Sequence, residues 1–317
     1  MNTRYEVAIR RSDDGRVLVL ADRSLPSFST DAPPPWPIVT IVADEMRSRH
    51  GLDVVTLRAA SVEGTSLSGT LARRVYEAEL IGGSPPAGAA WVDDADLGEE
   101  LAGLVRPARG DRHPWYRPGW LAEMSDWIDE RLSDGGIRRR GPIRQVRSWG
   151  RAALLTFDTD RGRLWAKAVP DVFSHEVTVT ELLADIDPGI VPPVVASDRA
   201  LGRIITEHVE GPSLDAPVFL DWSDGSITHP FLSAASILLD RGASVAGCDD
   251  EAVAYLGPWL ATGQVTPTGG REALSLARIV LPLHLAALYA ERILPGLEQR
   301  WEVEWAVPDA MRAILPG

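Results

Sequence analysis

The sequence predicts an α+β fold in two domains, and three of its features carry that prediction. The chain has 317 residues, and one domain usually takes about 100–200 residues. Strand and helix patterns alternate through the first part of the chain, and from Pro230 onward it is mainly helical. A basic segment with three prolines, residues 106–118, separates two groups of patterns and predicts a linker at residues 109–118. We therefore expect domains at residues 1–108 and 119–317.

The N-terminal segment predicts a mixed sheet with a helix between its strands. Asp14-Gly15 is typical of a hairpin turn. Residues 38–50 repeat apolar side chains on one helical face, and Gly51 suits the position after a helix end. An acidic helix is expected to start at Trp91. The strands are predicted, in chain order, at residues 5–10, 17–20, 53–59 and 73–80.

The second segment predicts a helix, then a sheet, then further helices. Residues 120–132 carry apolar side chains at three- and four-residue spacing, and the glycine pair at 135–136 ends that helix. Ser174 can cap a helix that runs to Asp185. The strands are predicted at residues 143–149, 152–158, 163–169, 194–197 and 203–209.

The composition argues against several classes of protein. With 32 basic and 45 acidic residues the net charge is −13, and nucleic acids and anionic membranes are polyanions that such a charge repels. The single cysteine, Cys248, excludes an internal disulfide and a cysteine-based zinc site. The longest apolar run, residues 279–290, is shorter than a bilayer span, and the first residues lack a signal-peptide core. We expect a cytoplasmic protein.

One basic residue stands apart from the others. Lys167 is the only lysine beside 31 arginines. A codon bias would replace lysine wherever charge alone matters, so a retained lysine marks a position where the bulky guanidinium fork does not serve. Lys167 lies inside an apolar strand pattern, where a buried charge needs a partner, and the next helix offers Glu176 or Glu181. A strand lysine paired with a helix glutamate holds the α- and β-phosphates of ATP in kinases.

Several stretches of the second segment follow one another in an order that is typical of one enzyme family. They are residues 114–120 with their helix, Lys167, Glu176, the strand and hinge pattern at residues 204–211, and Asp221 followed by residues 229–231. Together they resemble the aminoglycoside phosphotransferase family, a branch of the kinase-like superfamily, over residues 114–317. The resemblance implies a β-rich N-lobe, a helical C-lobe and transfer of phosphate from ATP to a hydroxyl of a small molecule, such as an amino sugar.

The same resemblance implies roles for individual residues. Lys167 and Glu176 would hold the ATP phosphates, with Glu181 the other candidate partner, and Glu207 and Val209 would lie in the hinge that meets adenine. Asp221 ends an apolar strand pattern, where a carboxylate suits Mg²⁺; its other interpretation is a structural cap.

The chain departs from that family between the hinge and Asp221. Members carry a helical segment and then a catalytic loop, His-Gly-Asp-x-His-x-x-Asn, that supplies the base and a metal ligand. Here ten residues separate Glu210 from Asp221 and none forms the loop. The pattern indicates an internal deletion near Asp215, which is the candidate replacement for the base. We expect a truncated, impaired or inactive phosphotransferase. The alternatives are a pseudoenzyme that binds a nucleotide or a protein partner, and a non-functional deletion product.

The N-terminal patterns resemble the Nudix hydrolase fold, an α/β/α architecture. They are a strand, a hairpin, a helix ending in His50-Gly51 and two further strands. The helix of that family reads Arg-Glu-x-x-Glu-Glu-x-Gly, and its glutamates bind the metal ions that activate water. Here Glu45 and Gly51 remain, while Ser48 and Arg49 take the positions of metal-binding glutamates. The resemblance implies an inactive scaffold, with Nudix-type hydrolysis as the remaining alternative.

Overall fold

The protein is a mixed α and β structure that divides into two compact units. The computed structural model describes residues 3–62, 73–105, 113–210, 231–240, 249–263 and 265–313. The units are Met1–Asp224 and Gly225–Gly317. The described residues form two β-sheets, both in the first unit, and the described part of the second unit is helical. Because one compact unit can hold two domains, the bounds predicted from the sequence stay a prediction.

The first sheet carries the N-terminal part of the chain. Within the described residues its strands are β1 (Thr3–Arg10), β2 (Val17–Val19), β3 (Ser27–Thr30), β4 (Leu52–Val62), β5 (Arg73–Gly83) and β6 (Ala90–Val92). Their order is β4-β5-β1-β2-β6, with β3 paired to β1. Strands β1 and β5 are parallel, and the other pairs are antiparallel. Helix α1 (Thr40–His50) precedes β4 and ends at Gly51, whose φ of 67° is left-handed, as expected for this position.

The acidic helix of this segment begins later than the sequence indicates. Trp91 and Val92 lie in β6, opposite Leu18 and Val17 of β2, because large and β-branched side chains suit a paired strand. A short 3₁₀ turn follows, and helix α2 spans Glu99–Val105. Its first turn carries the acidic residues, where the helix dipole favours them. The prediction of a helix that starts at Trp91 was therefore wrong.

The second sheet is antiparallel, in the order β10-β11-β9-β8-β7. Its strands in the described residues are β7 (Arg139–Trp149), β8 (Ala152–Thr159), β9 (Gly162–Ala168), β10 (Val194–Asp198) and β11 (Arg203–Glu207). Helix α3 (Trp120–Asp134) packs its apolar face on one side of this sheet, and helix α4 (His175–Ile186) follows β9. Trp115 and Tyr116, in the described part of the predicted linker, are buried in the same core. Residues 109–112 of that linker lie outside the described residues.

The two sheets contact each other through β4 and β7. The side-chain amide of Gln145 donates to the carbonyl of Thr56 and accepts from its N–H, both at 2.8 Å. The hydroxyl of Ser148 donates to the carbonyl of Leu57 at 2.6 Å, and the N–H of Val39 donates to the carbonyl of Val146 at 3.0 Å. Polar side chains therefore satisfy backbone groups across the contact between the sheets.

The described part of the second unit is built from helices. They are α5 (Phe231–Asp240), α6 (Asp249–Ala261), α7 (Pro267–Leu288), a π-helical turn (Tyr289–Ile293), α8 (Leu294–Gly296) and α9 (Ala306–Arg312). Thr266 caps α7, since its side chain accepts from the N–H of Gly269 at 3.1 Å. Among the described residues, one helical stretch, Pro267–Gly296, is long and apolar enough to cross a membrane by length and composition alone. This criterion is weak, because core helices of globular proteins also meet it.

Candidate functional site

The two faces of the second sheet have different environments, and β9 shows the difference most clearly. Leu164, Ala166 and Ala168 are buried in the core beneath α3. Trp165 and Lys167 alternate with them, so they lie on the opposite face, where both are only partly buried. Lys167 is thus placed in the middle strand of the sheet, on the face opposite the core beneath α3.

Lys167 is held by a glutamate of the next helix. Its Nζ lies 2.5 Å from Oε1 of Glu176, and the two side chains are 20% and 7% exposed. Glu176 is in the first turn of α4, where the helix dipole favours a carboxylate. The structure thus brings together the two residues that sequence analysis placed at the phosphates. The alternative partner, Glu181, bonds instead to Ser197 and Arg199.

Helix α4 begins where the sequence predicted, but without the predicted side-chain cap. A 3₁₀ turn, Asp171–Phe173, leads directly into the helix, so Ser174 already has helical backbone angles. Its hydroxyl donates to the carbonyl of Asp171 at 2.8 Å. A capping residue normally has extended backbone angles, so the prediction of a Ser174 cap was wrong. The start of α4, and with it the position of Glu176, is instead set by the continuous turn.

A second cation lies at the turn between β7 and β8. The guanidinium carbon of Arg151 lies 5.4 Å from the ring centre of Trp149 and 5.1 Å from that of Phe173. Trp149 is held in turn, because its carbonyl accepts from the indole N–H of Trp115 at 3.0 Å. Phe173 belongs to the 3₁₀ turn that leads into α4, three residues before Glu176. Two aromatic side chains therefore position a cation near the start of α4.

We call the face of β9 that carries Trp165 and Lys167 the lysine face. The segment after β11 contacts this face at Trp165. The indole Nε1 of Trp165 donates to Nδ1 of His208 at 2.9 Å, and the two ring centres are 6.0 Å apart. The N–H of His208 donates to the carbonyl of Arg163 at 3.1 Å. Sequence analysis missed Trp165 and His208 as site residues. Strict alternation along β9 would have placed Trp165 on the same face as Lys167.

Two of the four remaining predicted site residues, Glu207 and Val209, lie within the described residues. Glu207 is opposite Leu164 in the register of β11 and β9, so its side chain is directed to the face opposite Lys167. Val209 is partly buried beyond the end of β11. Asp215 and Asp221 lie outside the described residues, so their roles as base and metal ligand stay predictions. Within the described ranges there is no group of three or more His, Cys, Asp or Glu side chains that could hold a metal ion.

The carboxylates of helix α1 are engaged in ion pairs. Glu45 pairs with Arg49 at 2.5 Å, one turn along the helix. Asp44 pairs with Arg144 of β7 at 2.7 Å. The helix that resembles the metal-binding helix of the Nudix hydrolases therefore presents carboxylates whose charge is already balanced by arginine.

No family model and no curated protein matches this chain.

Proposed function

We propose that the lysine face of the second sheet binds the phosphates of a nucleoside triphosphate, and that the protein is a kinase-like nucleotide-binding protein with impaired phosphotransferase activity. The observation that carries this proposal is the Lys167–Glu176 pair. The only lysine of the chain lies on the face of the sheet opposite the α3 core, and it is oriented by a carboxylate from the first turn of the next helix.

The chemistry of the pair suits a phosphate ligand. An ammonium is a compact point charge with three donors, and an oxygen of Glu176 occupies one direction around it. The positive charge of the ammonium attracts phosphate oxygens, and the side chain of Lys167 is 20% exposed. Arg151 would add a second positive charge from the β7–β8 turn, since its guanidinium lies against Phe173 near the start of α4. ATP is the nucleotide that the resemblance implies.

Phosphoryl transfer needs more than this pair. The nucleophile must be oriented, and metal ions must neutralise the charge that develops on the transferred phosphoryl group. Asp215 and Asp221 are the proposed sources of the base and the Mg²⁺ ligand. Loss of general-base catalysis alone lowers a rate by about 10²–10⁴-fold. We therefore propose nucleotide binding with little or no turnover, and a hydroxyl-bearing small molecule as the acceptor of any residual activity.

Calorimetry of ATP with Mg²⁺ tests the proposal on the wild type, Lys167→Ala and Glu176→Gln. A hydrogen bond to a charged group contributes about 1.5–3 kcal/mol, so Lys167→Ala should weaken ATP binding by about 10- to 100-fold. Arg138→Ala is the control, because it removes an exposed cation that precedes β7 and lies outside the lysine strand. Its affinity should stay within about two-fold of the wild type.

Two results would contradict the proposal. One is a cooperatively folded wild type that binds no ATP, and the other is a Lys167→Ala variant that binds as well as Arg138→Ala. A second measurement follows ATP consumption with a panel of hydroxyl acceptors. Consumption that depends on Lys167 would show that turnover survived, and it would then identify the acceptor.

A further inference from the structure

The first sheet contains a buried arginine whose pairing differs from that of its neighbours. Arg74 of β5 is 3% exposed. The two other arginines buried in this sheet, Arg10 and Arg58, both form ion pairs with Glu77. Among the side chains that the structure describes, no carboxylate forms an ion pair with Arg74. A charge buried without a partner of opposite sign is strongly unfavourable, so this position needs an explanation.

Neutral groups hold the guanidinium of Arg74 in place. Its Nη1 donates to the hydroxyl of Tyr5 at 2.8 Å and to the carbonyl of Pro34 at 3.2 Å. Its central carbon lies 5.3 Å from the ring centre of Tyr5. Its Nε is buried and makes no hydrogen bond with the residues that the structure describes. The guanidinium is therefore oriented through Nη1, while the edge that carries Nε has no acceptor in the described part of the chain.

Alternation along β5 explains why Glu77 does not neutralise this arginine. Arg74 and Tyr76 lie on one face of the strand, and Glu77 lies on the other, with Arg10 and Arg58. The face of Arg74 is aromatic instead. The ring of Tyr5 is stacked between Phe28 and Tyr76, with ring centres 4.5 and 5.9 Å away. An anion bound beside Arg74 would meet its charge in surroundings of low polarity, where the attraction between charges is strong.

We propose that Arg74 binds the oxyanion group of a small ligand, a carboxylate or a phosphate, through the Nε edge of its guanidinium. This edge presents two parallel N–H donors, which match two oxygens of either group. Tyr5 is a positioning residue, because its hydroxyl accepts from Nη1 and so sets the orientation of the fork. The loop of residues 31–37 lies beside the guanidinium at Pro34, and its Pro35 is exposed, so the ligand would approach past this loop.

The competing arrangement is a structural arginine that its two neutral acceptors satisfy. The protein would then gain no stability from an oxyanion beyond the general effect of the salt. Under the proposal the anion binds the folded state, so stability rises with its concentration. A comparison of salts at equal ionic strength separates the two arrangements.

Thermal unfolding of the full chain in acetate, benzoate or inorganic phosphate, each compared with chloride, tests the proposal. At about ten times its dissociation constant, the bound anion should raise the Tm of the wild type by about 3–6 °C. Arg74→Gln should lose this rise. Arg73→Gln is the matched control, because it removes the same charge from the adjacent residue, whose side chain pairs with Glu6. It should keep the rise. An effect of the carboxylates alone, or of phosphate alone, identifies the group that is bound.

A second variant keeps the test decisive if Arg74→Gln does not fold. Tyr5→Phe retains the stacked ring and removes the hydroxyl that holds Nη1, so it should weaken anion binding by about two- to ten-fold. Anion affinity equal to that of the wild type would overturn the proposed positioning.

The outcomes also separate this site from the proposed nucleotide site. A wild type that gains no stability over chloride in any of the three anions overturns the proposal, and so does an equal rise of the Tm in Arg74→Gln. A rise in phosphate that Lys167→Ala loses and Arg74→Gln keeps belongs to the lysine face and assigns no phosphate to Arg74. A rise that Lys167→Ala keeps and Arg74→Gln loses supports the proposal, whatever the outcome for ATP.

Discussion

Acidification should destabilise the first unit through His113, which lies where the chain enters the core beneath the second sheet. The side chain of His113 is stacked on Trp115, with ring centres 5.0 Å apart and planes 7° from parallel, and it meets the ring of Tyr116 edge-on. The residue is 8% exposed, and its Nε2 makes no hydrogen bond with the residues that the structure describes. Burial therefore lowers the pKa of His113 to about 4.

The size of the expected loss of stability follows from the difference between the pKa of His113 in the folded chain and its pKa in the unfolded chain. An unfolded histidine has a pKa of about 6.5. Because the folded pKa is lower, the unfolded state binds the proton first, and the stability present above pH 6.5 is lost as the pH falls toward 4. One pKa unit corresponds to about 1.36 kcal/mol. The free energy of unfolding should therefore fall by about 2 kcal/mol at pH 5, and by about 3 kcal/mol once His113 is fully protonated.

Urea unfolding at pH 7.5 and pH 5.0 measures this loss in the wild type and in His113→Phe. Phenylalanine keeps an aromatic ring against Trp115 and does not titrate, so the variant retains only the pH dependence of all other groups. The loss of stability between the two pH values should be about 2 kcal/mol larger in the wild type. An equal loss in both proteins would refute the assignment of this pH dependence to His113.

Three further changes test the packing of the first unit, each by the free energy of unfolding in urea. Met124→Ala empties a fully buried position between α3 and the sheet and should lower the free energy of unfolding by about 2–5 kcal/mol. Leu201→Ala is the control, because Leu201 is 52% exposed, and it should lower that free energy by less than about 0.5 kcal/mol. Similar losses in the two variants would contradict the observed core. Gln145→Ala removes both hydrogen bonds to Thr56 and should cost about 1–3 kcal/mol. Arg144→Ala breaks only an exposed ion pair and should cost at most about 1 kcal/mol, so an equal cost would mean that the Gln145 bonds do not join the sheets. Gly83→Ala should cost more than about 1 kcal/mol, since φ is +85° and the new Cβ would lie 2.1 Å from the carbonyl oxygen of Gly51; a neutral effect would contradict that close approach.

The prediction of elements from the sequence succeeded where the signal was local. Strand β8 was predicted at residues 152–158 and β9 at residues 163–169, and the structure has Ala152–Thr159 and Gly162–Ala168. Alternation of side chains and a tight turn are properties of adjacent residues, so they can be read without knowledge of the partner strand. The left-handed Gly51 at the end of α1 was confirmed for the same reason.

The predictions that failed depended on neighbouring elements that the local pattern does not specify. Trp91 belongs to a strand because β2 is available to pair with it, although the acidic residues that follow suit a helix. Ser174 loses its capping role because a turn before it enters the helix without an extended residue. In both cases the local pattern permitted two structures, and a neighbouring element decided between them.

For the candidate site, the sequence by itself determined its chemistry, whereas the tertiary structure decided its geometry. A single lysine among arginines, inside an apolar strand pattern and followed by two helical glutamates, is sufficient to predict a paired cation. Only the fold selects Glu176 over Glu181, because the choice depends on which glutamate α4 directs toward β9 and which it directs toward β10. The fold alone also joins Trp165 to His208, whose positions are 43 residues apart in the chain. Side-chain periodicity specifies which face of a strand a residue occupies, but the elements that pack around the strand determine what that face meets.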